Sequence, residues 1–135
     1  LSHWHDSWII KFSHSAETAL NHASSKEEIH MILAFIKMNV RPEKNKELLQ
    51  TFQSIVSQMR KEPGCLESNF YQNSENENDF FLVEAWETRK ALDDHLQSVR
   101  FTVLIGAGSL LSRPPEVMIH AVSQSSELAP LPPQS

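Results

Sequence analysis

The chain has 135 residues, 40% hydrophobic and 21% charged, which is room for one soluble globular domain with some spare length at its ends. A net charge of −5, with 12 scattered Lys and Arg among 17 Asp and Glu, excludes the clustered basic surface that nucleic-acid binding requires. No apolar run approaches the roughly 20 residues that cross a bilayer, so no membrane partner is expected. Cys65 is the single cysteine, which excludes an intrachain disulfide and a thiolate metal cage and points to a reduced, cytoplasmic setting. As a small hydrophobe at a strand start, it needs no chemical role.

Residues 1–30 read as an N-terminal extension, with a thin helical stripe of Ala16, Ala19, Leu20 and Ala23 between Ser15 and Glu28. The opening LSHWHDSWIIKF lacks a charged start and a sustained apolar core, so no secretory signal is expected. The first residue is Leu1, as in a processed chain or a fragment, and Met31 is a candidate alternative start. His3, His5, His14, His22 and His30 have no matching carboxylate set and read as solvated residues. From 31 onward the pattern is regular. Residues 31–40 predict a strand, and Pro42-Glu43 open a helix whose stripe is Leu48, Leu49, Phe52, Ile55, Val56 and Met59. Pro63-Gly64 stops it. Strands follow at 65–72 and 79–86, joined by a polar NSENEND turn. Thr88 caps a second helix ending near Ser98, and a short helix from Val99 to Leu111 is interrupted by Gly106 and Gly108. After Pro114-Pro115 a last strand runs 116–122, and the Ser- and Pro-rich tail, 123–135, is expected to be disordered. The order is β-α-β-β-α-β, the ferredoxin-like α+β arrangement of a four-stranded antiparallel sheet with helices on one face.

Two helices cover one face only, yet the strands are apolar on both. Ile32, Ala34 and Ile36 oppose Leu33 and Phe35, and Phe81 and Val83 oppose Phe80 and Leu82. A bare apolar face of several hundred Å² is more than a soluble monomer usually exposes, so a homodimer joined sheet to sheet is expected. His120, alternating with Ile119 and Ala121, falls to packing or to that interface.

The stretch FFLVEAWETRKALDDHLQSVRF, 80–101, carries the chemistry. Glu84 shares a strand face with Phe80, Leu82 and Trp86, and His95 shares a helix stripe with Leu92, Leu96 and Val99. A carboxylate on such a face needs a partner: His95, a solvated pocket, or a cation such as Arg60, Lys61 or Arg100. Glycine-rich phosphate loops and serine-centred nucleophile motifs are absent.

Residues 31–122 resemble the antibiotic biosynthesis monooxygenase domain, a dimeric α+β barrel family. The likeness rests on PEKNKELLQTF, EPGCLESNFYQN, FFLVEAWET and HLQSVRF, in that order. It implies a ligand pocket between sheet and helices, lined by Glu84, Trp86 and His95, with Phe80 and Leu82 on the same strand face and Asn69 on the neighbouring strand. Some members oxidise quinols or polycyclic phenols without metal, flavin or haem; others process small signalling carbonyl compounds or degrade haem. The haem branch places an axial histidine near the positions of Val103 to Ile105, and this chain has none between His95 and His120. Val99-Arg100 also stands where many relatives have Pro-His. The resemblance therefore implies a cofactor-independent monooxygenase using O₂ on a small aromatic substrate. His95 would be its general base, Glu84 would orient that base, and Trp86 would form the apolar wall. Isomerisation or breakdown of a carbonyl compound, and non-catalytic binding of an aromatic ligand, are the alternatives.

Overall fold

A computed structural model gives the fold of residues 31–123. The expected helix at 15–28, the histidines of the extension and the tail beyond 123 lie outside the described residues. Four strands form one antiparallel sheet: β1 (Met31–Asn39), β2 (Cys65–Asn73), β3 (Asn76–Trp86) and β4 (Glu116–Val122), in spatial order β2-β3-β1-β4. Helix α1 (Asn45–Met59) joins β1 to β2. Helices α2 (Arg89–Leu96) and α3 (Val99–Gly106) lie between β3 and β4. The expected ferredoxin-like α+β architecture is therefore present.

The helices take one side of the sheet. On that side Ile32, Ala34, Ile36, Leu82 and Trp86 are fully buried against Leu48, Phe52, Leu92 and Leu104. Alternation sends Leu33, Phe35, Phe81 and Val83 to the opposite side, where they are only half-buried. Phe35 stacks there on Phe81 at 5.6 Å and meets His120 at a tilt at 5.5 Å, and Met118 stands open.

Two boundaries differ from the sequence pattern. β3 begins at Asn76, so the polar NSENEND segment is mostly strand, closed by a turn of Ser74 and Glu75. Polar side chains do this work: Asn73 Oδ1 accepts from Glu75 N, Asn76 Oδ1 accepts from Asn78 N, and Asn45 Nδ2 donates to Glu77 O. Gly106 does not interrupt α3, which runs into a 3₁₀ turn at Ala107–Leu110. Gly64 is the glycine the fold demands. Its φ is +82°, and a Cβ there would come within 2.4 Å of Ala91 Cβ. Gly64 O also accepts from Glu87 N, so the 60–64 loop is seated against the start of α2.

Candidate active site

Local structure aims each group inward. β3 alternation puts Glu84 and Trp86 on the helix side. Thr88 Oγ1 accepts from Ala91 N and starts α2 so that Ala91, Leu92 and His95 form its buried stripe. Ser98 Oγ accepts from Phe101 N to start α3, and donates to His95 O, which fixes the helix end that carries the imidazole.

The imidazole sits between two carboxylates. His95 Nδ1 is 2.8 Å from Glu62 Oε2, and Nε2 is 2.9 Å from Glu84 Oε1. The first is an aligned hydrogen bond; the second approach lies off the bonding direction, so Nε2 has charge contact without good alignment. Trp86 Nε1 donates to Glu84 Oε1 at 3.1 Å, and the indole stacks on the imidazole at 4.4 Å. Phe101 meets the other side of the ring edge-on at 5.5 Å. Outside, Arg100 Nε lies 3.1 Å from Glu62 Oε1.

Burial opposes charge on His95, but the hydrogen bond and charge of Glu84, joined by those of Glu62, outweigh it and raise its pKa above 6.5. Burial, then Glu84 and Glu62, push the Cys65 thiol up to about 11, so it is no nucleophile near neutral pH.

Glu84, Trp86 and His95 are thus brought together, as the sequence predicts. Phe80 and Leu82 share their strand face but lie toward its other end, where Phe80 stacks on Phe70 at 4.9 Å. Asn69 is not brought in: it alternates with inward-facing Ser68, accepts from Arg60 Nη2 and donates to Glu67 Oε1. The implied open pocket is filled. Glu84 and Trp86 are 0% exposed and His95 1%, with Leu92, Phe101 and Leu104 closing the space. A hollow of about 430 Å³ lies elsewhere, at the Lys37 end of the sheet, beside Asn39, Tyr71, Asp79, Phe81 and Arg113.

Sequence reasoning missed Glu62. The α1 stripe Leu48, Phe52, Ile55, Met59 continues three residues later onto Glu62, so an acid stood on the buried face just before Pro63-Gly64. Of the cations offered as partners for Glu84, Arg100 goes instead to Glu62, and Arg60 bonds Ser68 O and Asn69 Oδ1.

Comparison with known proteins defines the class. Residues 31–105 match the antibiotic biosynthesis monooxygenase family, and the chain belongs to it. It is 32% identical over 92 residues to the Synechocystis protein sll1783, which is uncharacterized; the match covers 67% of this chain and 63% of that protein. It is also 32% identical over 95 residues to the Bacillus subtilis protein named "Putative monooxygenase YcnE", covering 70% of this chain and 98% of that one. A conserved protein from Methanosarcina mazei has the same fold, with a TM-score of 0.65 and 28% identity over 69% of this chain and 93% of its own. Among the described residues no helix is long and apolar enough to cross a membrane.

Proposed function

We propose that the chain is a monooxygenase of this family acting on a quinol-like or phenolic small molecule with O₂, without a bound metal, flavin or haem. The observation that carries this reading is the buried Glu62–His95–Glu84 group under Trp86. Well-packed hydrocarbon of the same volume is often as stable as buried ion pairs, or more so, which favours a use for this one beyond packing. Removing a phenolic proton makes an electron-rich phenolate able to pass an electron to O₂, and a proton-handling pair beside an indole face suits that task. Because the site is closed, α2 and α3 must draw back from β3 to admit a ring.

Oxygen uptake with a panel of quinols tests the reading. The expected result is uptake that falls about 100-fold or more in His95→Ala. Wild-type protein that consumes no O₂ with any of them overturns it. Conversion of a carbonyl compound without O₂ uptake would instead mark the isomerase alternative, and tryptophan quenching without turnover the binding module.

We also propose that two copies pair through the uncovered face, where Leu33, Phe35, Phe81, Val83 and Met118 lie together. Sedimentation equilibrium should return twice the chain mass, and a monomer at micromolar concentration contradicts the pairing.

A further inference from the structure

We propose that Glu84 Oε2 and Ser68 Oγ form a two-point seat for a hydroxyl group inside the fold, with Glu84 as the proton acceptor and Glu62 as the positioning residue that keeps His95 protonated on both ring nitrogens. This rests on the phenol-oxidising reading of the same site and changes which group takes the proton.

The geometry carries the argument in two steps. First, each nitrogen of His95 faces a carboxylate oxygen, at 2.8 Å and 2.9 Å. Nδ1 is hydrogen-bonded and Nε2 is in charge contact, and a carboxylate beside each nitrogen favours the doubly protonated ring, the imidazolium. An imidazolium has no lone pair with which to take a further proton. The charged and titratable groups around it are Glu84 from β3, Glu62 from the loop after α1, Arg100 from α3 behind Glu62, and Cys65 at the start of β2. Burial works against the charge, but the two carboxylates raise the ring's pKa above 6.5.

Second, the remaining acceptors are on the sheet. Ser68 and Glu84 are direct partners across the β2–β3 ladder, so their side chains leave the same face. Both residues are at least 99% buried, and among the described residues neither Ser68 Oγ nor Glu84 Oε2 has a hydrogen-bond partner. Two such groups side by side in an interior are costly unless something bridges them. A phenolic hydroxyl fits: it donates to Glu84 Oε2 and accepts from Ser68 Oγ–H. The step then balances simply. The phenol O–H bond breaks, the proton goes to Oε2, and the products are a phenolate and a neutral Glu84 carboxyl. The phenolate replaces the carboxylate as counter-ion of the imidazolium, so the buried charge stays matched.

4-Nitrophenol tests this without O₂ chemistry, because its phenolate has its own absorbance band. Added to the full chain at a pH where the free probe is neutral, it is expected to show the phenolate band on binding. Glu84→Gln should keep the bound probe neutral, and Ser68→Ala should weaken binding about fivefold. Nitrogen-15 spectra of the histidines at pH 7 should show both His95 nitrogens protonated, and Glu62→Gln should make the ring release its proton at lower pH. A probe that fails to bind or stays neutral in the wild type, or a neutral His95, overturns the proposal even if quinols are oxidised. A phenolate band from a protein that consumes no O₂ with any of the quinols sinks the oxygenase reading and leaves this assignment standing. The wild-type spectra decide the matter even if a variant fails to fold.

Discussion

One face of β2 and β3 is built in two ways along its length. At one end Phe70 is stacked between Phe52 and Phe80, at 4.3 Å and 4.9 Å with nearly parallel rings. At the other end Trp86 stacks on His95, Phe101 meets that ring edge-on, and the imidazole lies between two carboxylates that raise its pKa. The ring spacing is similar, yet one stack is of hydrocarbon rings alone and the other end holds two carboxylates. The aromatic end is ordinary core. The ionic end must satisfy every charge it buries, so its stability depends on all partners being present at once.

The sharpest way to break that comparison is to remove the middle ring. His95→Ala leaves Glu62 and Glu84 buried with no imidazolium between them. Breaking a buried charge group by deleting one partner typically costs about 3–5 kcal/mol. Urea unfolding at pH 7 should show that loss, and a loss under 1 kcal/mol would mean the carboxylates are solvated or neutral.

The second effect is smaller and has a definite sign. His95 has a folded pKa above its unfolded value of 6.5. Its protonation therefore stabilises the fold fully below about pH 6.5, and that contribution fades as pH rises through the raised folded value. Wild-type stability should decline on the alkaline side of 6.5 by more than that of His95→Gln, in parallel urea titrations from pH 5 to pH 9. Parallel curves would show that the fold leaves the ring's pKa at its unfolded value.

The ionic end was half legible in the sequence, and the reason is local. Glu84 and Trp86 lie two apart on one strand, and His95 sits on a stripe with Leu92, so periodicity alone put them on facing surfaces. Glu62 is 33 residues from His95 and reaches it only because Gly64, at φ +82°, turns the loop against Ala91. No pattern within one element encodes that contact. The filling of the space by Phe101 and Leu104 was equally out of reach, since an amphipathic stripe reports which side is buried but not whether the facing side chains leave a gap. Asn69, which the family resemblance implied, is not on the inward side: after the register shift between Cys65 and Glu67, Ser68 is the residue paired with Glu84 and buried. The long β3 hairpin was hidden for another reason. Its Asn and Glu residues have low strand propensity and are held by side-chain hydrogen bonds to the turn and to Asn45.

The aromatic end supplies the smallest prediction and the control for the others. Phe70 is only partly buried, packing against the core between two stacked rings. Phe70→Leu keeps a large apolar side chain and loses ring stacking plus some contact area, about 1 kcal/mol in all. No ionisable group takes part in that stack, so the loss should be the same at pH 5 and pH 9. A loss that varies with pH would mean the two ends share a conformational change and are not separable pieces of one core. A constant loss beside a pH-dependent His95 contribution would place the proton sensitivity of the fold at the Trp86 end alone.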